Sequence, residues 1–407
     1  MAGSARTLSP PVASSLARWA TELEPSEEDL ALARRSLLDT VAVMYAGRSD
    51  PLAPLFAELS EAARWPPWPT CVDYDDLHIP STTHISAVCV PATLASAGAG
   101  DPARAYLAGA GVMARLGSAL GWKHYSAGWH ATCTSGAPAA AVAASLARGL
   151  DAERIAIALA LAVPAAGGVQ RAFGTVAKSL QVGFATEAGV PAAALAEAGA
   201  SAHVSAVEQW MTLVRGDPEA LDTHGPAVPN GLAIKLYPCC YELQRPISTA
   251  AGLGKLDPER IRAITVRTPA VSLAPLIHQR PQTGLEGKFS LQYGIAAALL
   301  DGRPGIESFN DEAVKRPEAV RLGGLVEVDP GEGGDHLLAG ELEIEVALQD
   351  GSGVEARLEL PPGAPERPPS EDELRTKLEL CAGAQADTLA ALSWRSAAAF
   401  LCGAIPA

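Results

Sequence analysis

The 407-residue chain predicts a mainly α fold with a smaller α+β domain, and three observations carry that expectation. Apolar residues recur at helical spacing through most of residues 1–230, with glycines, prolines and short polar turns between the runs. The alternating pattern of half-buried strands is confined to Arg262–Thr268, Leu342–Leu348 and Val354–Leu360. Hydrophobic residues make up 48 % of the chain but aromatic ones only 5 %, so Ala, Leu, Val and Ile must build the core. Such small side chains let helices approach closely, and the length suffices for two domains.

Taken in order, Ser26-Glu27-Glu28-Asp29 after Pro25 is a helix start, its acidic residues complementing the positive end of the helix dipole. Leu30, Ala33, Leu37, Leu38, Val41 and Met44 then keep helical spacing until Gly47 stops the run. Further apolar helices are read at about 84–98, 103–119, 136–149, 151–163, 182–198 and 204–214. Beyond residue 230 the alternating segments appear, with Asp350-Gly351 turning 342–360 into a hairpin. Ser290–Leu300 reads as a helix between the strands. After the Pro-rich stretch 361–369, Ser370-Glu371-Asp372-Glu373 is a capping box that opens a final helical segment expected to return to the first domain.

The net charge of −15, from 31 basic and 46 acidic residues, argues against nonspecific nucleic-acid binding. An anionic substrate then needs a locally positive pocket. The seven cysteines (71, 89, 133, 239, 240, 381 and 402) contain no CxxC pair, so reduced thiols and a cytoplasmic setting are expected. The first residues lack the apolar core of a signal peptide. The apolar run Ile155–Val169 is too short to span a bilayer and contains Pro164, so no membrane partner is expected.

Gly128-Trp129-His130-Ala131-Thr132-Cys133-Thr134-Ser135-Gly136 places a histidine on a glycine-flanked loop that feeds an apolar helix. Imidazole titrates near neutrality, so small local effects make it an acid or a base. Asp73-Tyr74-Asp75-Asp76 precedes His84, with Pro80 between them breaking any continuous helix. Clustered carboxylates raise one another's pKa and supply acid–base groups when partly buried. Their spacing matches no EF-hand loop, so no metal is expected. Lys178, Lys235 and Lys288 each lie among apolar residues beside Gly or Pro turns, which suits a pocket that collects carboxylates through point charges. The vicinal Cys239-Cys240 pair is read as packing. Ala108–Met113 lacks the glycine spacing and preceding strand of a dinucleotide loop, and no Walker A, Gly-x-Ser-x-Gly or His-Glu-x-x-His motif occurs.

In this order the motifs resemble the MmgE/PrpD family, which includes 2-methylcitrate dehydratase, cis-aconitate decarboxylase and iminodisuccinate epimerase. The resemblance runs through Ala33–Gly47, Asp73–Asp76 with His84, Gly128–Thr132 with Gly136, Gly174-Thr175 with Lys178, Lys235–Cys240 and Lys288–Tyr293. It implies a large all-helical domain from both chain ends, 1–230 plus 371–407. An inserted α/β lid, 231–370, would cover it, with the active site at the junction, in a homodimer. By analogy with the decarboxylase, Asp73, His84, His130, Lys178, Lys235 and Tyr293 would line the site, and no metal or organic cofactor would be needed. Four positions depart from the family pattern: Ile85, where proline is usual; Gln181 and Gln244, where histidine is common; and Ser248, where aspartate is frequent.

The expected activity is that of a cofactor-independent lyase acting on a small di- or tricarboxylic acid by proton transfer next to a carboxylate. Asp73, His84, His130 and Tyr293 are the expected catalytic groups; Lys178, Lys235 and Lys288 are the expected substrate ligands. The alternatives are an epimerase of a dicarboxylic acid and a non-catalytic carboxylate-binding relative.

Overall fold

The structure is a computed structural model that describes residues 10–96, 98–332 and 339–404; the expectation drawn from residues 1–9 lies outside them. The fold is mainly helical with one small mixed sheet.

Helices α1 (Val12–Glu22) and α2 (Glu27–Gly47) open the helical body. The expected helix start is present and is closed by a capping box: Ser26 Oγ accepts from the Asp29 amide, and the Asp29 carboxylate accepts from the Ser26 amide. In the apolar stripe of α2, Ala33, Leu37, Val41 and Met44 are buried, Leu38 is half-buried and Leu30 is exposed. Then come α3 (Pro67–Val72), α4 (Ile85–Leu94), α5 (Pro102–Ser126), α6 (Ala131–Arg148), α7 (Ala152–Ala162), α8 (Val176–Glu197) and α9 (Ala206–Leu213). Within α5, Gly121 takes a positive φ of 63° and interrupts the helix close to where the sequence ends it.

At the centre lies α6, in which every residue from Ala131 to Ala147 is buried. A helix apolar on all faces belongs inside a body of helices. It begins before the expected Gly136 because its first turns hide polar residues: Ser135 Oγ donates to the Ala131 carbonyl at 2.6 Å. Similarly, α8 starts at Val176 rather than 182, which puts Lys178 on its first turn.

The second unit comprises α10 (Gln244–Gly252), β1 (Ile261–Pro269), α11 (Leu291–Asp301), α12 (Pro317–Gly323), β2 (Val326–Gly331), β3 (Leu342–Leu348) and β4 (Gly353–Leu358). Strand order is β2-β1-β3-β4, with β1–β2 parallel and the other pairs antiparallel. Ile264 stands opposite Val326 on one side and Val346 on the other. The β3–β4 hairpin turns at Gly351, whose φ is 87°. The sequence pattern does not reveal β2, because this edge strand carries only two valines and ends in Asp-Pro-Gly. Its parallel partner is distant in the chain, so no turn signal announces the pairing.

Helices α13 (Glu371–Ala382), α14 (Ala386–Ala390) and α15 (Trp394–Ala404) return to pack on α2. The larger apolar core accordingly joins Leu16 and Leu37 with Leu389 and Leu401. A separate core centred on Ile264, Val266, Ile295, Ile344 and Val346 holds the sheet unit together. From α13, Lys377 reaches back to Asp39 Oδ1 at 2.6 Å and the Tyr74 carbonyl at 2.8 Å, anchoring the acidic loop. Among the described residues no helix is long and apolar enough to cross a membrane.

Close packing makes one glycine a sensitive position. A Cβ on Gly189 in α8 would lie 2.4 Å from the Ala137 carbonyl oxygen and 2.6 Å from Ala140 Cβ in α6. Backbone cannot yield cheaply there, so Gly189→Ala should lower the unfolding free energy by about 1–3 kcal/mol. Urea unfolding of the two proteins checks this, and an unchanged midpoint contradicts it.

Candidate active site

The acidic loop follows α3, whose last turn is closed by Asp73 in the left-handed region at φ 57°. Aspartate tolerates that conformation better than most residues. Here it turns a carboxylate into the interior, where Oδ1 accepts from both Lys178 Nζ and Lys235 Nζ at 2.7 Å each. Lys235 also reaches the Asp73 carbonyl at 3.2 Å and lies 3.6 Å from Asp75 Oδ1. Burial alone would raise the Asp73 pKa; Lys178 and Lys235 override it and hold the carboxyl well below the usual carboxylate range. Burial likewise opposes charge on Lys235, but Asp73 and Asp75 outweigh it and raise that pKa. Lys178 sits near the positive end of α8, an unfavourable place for a cation that Asp73 offsets.

His84 and His130 are the residues that precede α4 and α6, each at the N-terminus of a buried helix. A positive helix end disfavours imidazolium. His84 Nδ1 lies 2.9 Å from Asp75 Oδ2 and 3.1 Å from the Asp76 carbonyl. Both neighbours accept only, so the proton sits on Nδ1 and Nε2 keeps its lone pair. Burial lowers the His84 pKa despite Asp75. Asp75 itself is held at about 2, because His84 and Lys235 outweigh its burial. His130 Nδ1 lies 3.1 Å from Cys133 Sγ, while its buried Nε2 has no hydrogen-bond partner. Burial, reinforced by Lys178, pushes the His130 pKa well down.

Supporting bonds fix both rings. The His84 amide donates to Thr132 Oγ1 at 3.1 Å, linking the two histidine segments. Asp76 accepts from the Ser86 amide at 3.1 Å and from the Ser86 hydroxyl, and burial pushes its pKa up to about 7. The His130 amide donates to the Gly168 carbonyl at 3.1 Å, and the ring meets Phe173 edge-on at 5.2 Å.

His84, His130 and Lys178 line a small cavity of about 40 Å³ where the two units meet, room for a few waters; Asp73, Asp75 and Lys235 are outside its wall and are joined to it through Lys178 and His84. The helical body supplies His84, His130, Thr132, Phe173 and Lys178; the other unit supplies Cys240, Tyr241, Glu242, Pro275 and Phe289. Of the residues expected from sequence, His84, His130 and Lys178 line the cavity, and Asp73 and Lys235 join them through the Asp73–Lys178 and Asp73–Lys235 ion pairs. Two expected residues lie elsewhere. Lys288 Nζ donates to the Cys71 carbonyl at 2.6 Å and ties the sheet unit to α3. The Tyr293 hydroxyl donates to the Ser308 carbonyl, and the side chain lines a different cavity with Gln279, Arg280 and Gln292. Tyr125, Tyr241 and Glu242 are cavity residues that the sequence reading did not single out; Glu242 was masked by the apolar, cysteine-rich segment before it.

None of the four departures lines the cavity. Ile85 is buried core. Gln181 holds the Val169 backbone beside the His130 loop. Gln244 clamps the segment after Lys235, its Oε1 accepting from the Leu236 and Tyr237 amides at 2.9 and 3.0 Å. Ser248 Oγ lies 3.5 Å from the Tyr237 hydroxyl. Asp73, Asp75 and His84 could in principle converge on a metal ion. Two ammonium groups already neutralise those carboxylates, so the donor set does not suit a further cation.

In class, this is a two-unit α and α/β protein with an ionisable cavity at the junction. Residues 69–215 match the MmgE/PrpD N-terminal domain and residues 237–397 the MmgE/PrpD C-terminal domain; the chain belongs to the MmgE/PrpD family. A cis-aconitate decarboxylase of Aspergillus terreus is 26 % identical over 412 residues, covering 91 % of this chain and 83 % of its own length. The Homo sapiens cis-aconitate decarboxylase is 27 % identical over 287 residues, covering 65 % of this chain and 57 % of its own. A cis-aconitate decarboxylase-like protein of Aspergillus oryzae is 24 % identical and covers 93 % and 92 %.

Removing one partner of a buried ion pair leaves an uncompensated charge. Asp73→Asn should therefore lose about 3–5 kcal/mol of stability. Adding Lys235→Met should restore part of that loss, because it removes one stranded ammonium. Thermal or urea unfolding of the single and double variants checks the sign, and a double variant weaker than the single contradicts the pairing.

Proposed function

We propose that the cavity performs cofactor-independent proton transfer at a carbon next to a carboxylate of a small di- or tricarboxylic acid, as a dehydratase or decarboxylase. The observation that carries this reading is the His84 geometry: an uncharged imidazole, its Nδ1 hydrogen fixed by Asp75 and Asp76, presenting a basic Nε2 in the cavity wall. Breaking a C–H or C–CO₂ bond beside a carboxylate leaves an electron pair that delocalises onto oxygen. Lys178, already oriented by Asp73, is the donor placed to stabilise that charge, in a site whose low dielectric strengthens the interaction. His130, with Nε2 unpartnered, is the second proton-transfer group. The names of the relatives support the decarboxylase variant of this chemistry. The cavity is too small for such a substrate as it stands, so entry requires the segments carrying Tyr241, Pro275 and Phe289 to move away from the helical body.

A second reading has a specific observation behind it. Two imidazoles in one cavity are also what an epimerase needs, one for each face of a carbon. Incubation with 2-methylcitrate, citrate, cis-aconitate and iminodisuccinate in D₂O, followed by NMR, separates the readings. Product formation identifies the lyase, and deuterium incorporation without net loss identifies the epimerase. His84→Gln should abolish both signals, a fall of about 10²–10⁴-fold for loss of a general base. Absence of exchange and turnover with all four acids contradicts the proposal.

A further inference from the structure

Glu242 stands in the cavity wall without a partner. It is 4 % exposed, and neither carboxylate oxygen has a hydrogen-bond partner; the neighbouring Tyr241 hydroxyl is also unpartnered. A buried carboxyl left in this state is costly and calls for a ligand. The other charges of the cavity are already matched, Lys178 and Lys235 against Asp73 and Asp75. Arg245, the cation that acts on Glu242 through space, directs guanidinium hydrogens to the Gly340 and Glu359 carbonyls and to Ser272. Around the same cavity stand the rings of Tyr125, Tyr241, Phe173 and Phe289, and Phe289 already holds the Lys178 ammonium 5.1 Å from its centre. Aromatic faces and an unmatched carboxyl both attract cations.

We propose that Glu242 is the specificity residue of this cavity and selects a carboxylic acid that carries a protonated nitrogen close to its carboxylates. The inference rests on the carboxylate-substrate reading above and narrows it to amino- or imino-acids. A zwitterionic substrate brings its own cation and meets Glu242 with it. Burial pushes the Glu242 pKa up to about 8, so the empty site holds the carboxyl largely protonated at pH 7. An arriving ammonium favours the ionised form, and the carboxyl proton leaves to solvent.

Calorimetry of the full chain at pH 7 with aspartate and with succinate, each in two buffers of different ionisation enthalpy, tests this. Aspartate should bind about tenfold or more tightly than succinate, with release of close to one proton per ligand. Glu242→Gln should erase both the preference and the proton release, with thermal unfolding run alongside to show that the variant is folded. Equal or tighter binding of succinate by the unaltered protein overturns the proposal, whether or not the variant folds. So does failure of aspartate to bind. Exchange or turnover of carboxylates in D₂O without any preference for aspartate removes this inference alone; absence of exchange together with absence of binding removes the site reading as well.

Discussion

One carboxylate oxygen organises this protein. Asp73 Oδ1 receives Lys178 from the first turn of α8 and Lys235 from the segment leading into the sheet unit, each at 2.7 Å. Three stretches far apart in sequence are thereby fixed at a single atom, and none of the charges is exposed. Two cations on one oxygen are tolerable only because Asp75 supplies a second negative charge beside Lys235. The left-handed backbone at Asp73 belongs to the same device, since it turns the carboxylate inward at the end of α3.

The chemistry of the cavity follows from that balance. With the lysines matched, the two histidines see a buried, nearly charge-neutral setting at helix N-termini, and both are driven toward the uncharged form. Neutral imidazole is what proton abstraction requires, and Asp75 with the Asp76 carbonyl decides which nitrogen is basic. The acidic loop is in turn held from outside by Lys377, on the returning C-terminal helix α13, and by the Tyr74 hydroxyl bonded to the Leu236 carbonyl. Loop, helical body and sheet unit are therefore coupled through the site itself.

Much of this was legible in the sequence, though unevenly. The helix start at Ser26, the capping box at Ser370 and the Asp350-Gly351 turn are local signals, and the structure contains all three. Strand β2 escaped because parallel pairing leaves no local mark. Asp73, His84, His130, Lys178 and Lys235 were visible as ionisable residues in apolar or glycine-bounded settings. Their partners were not. Three lysines in similar surroundings read as equivalent carboxylate anchors, yet two share Asp73 and the third caps the Cys71 carbonyl. Tyr293 shares a segment with Lys288, but its ring packs against Phe309 in the second core, away from the histidines. Spacing identifies which groups are buried; only the fold decides which lone pairs and hydrogens remain free.

Burial, with Lys178 close to His130, leaves both cavity histidines uncharged, and the His84 proton sits on Nδ1. Histidine-selective ¹⁵N NMR of the ligand-free protein at pH 6 tests this most directly, because an ordinary imidazole with pKa near 6.5 is mostly protonated there. A lowered pKa predicts neutral shifts for His84 and His130 at that pH, with His84 showing a protonated Nδ1 and an unprotonated Nε2. Imidazolium shifts for either ring, or a His84 proton on Nε2, would contradict the account.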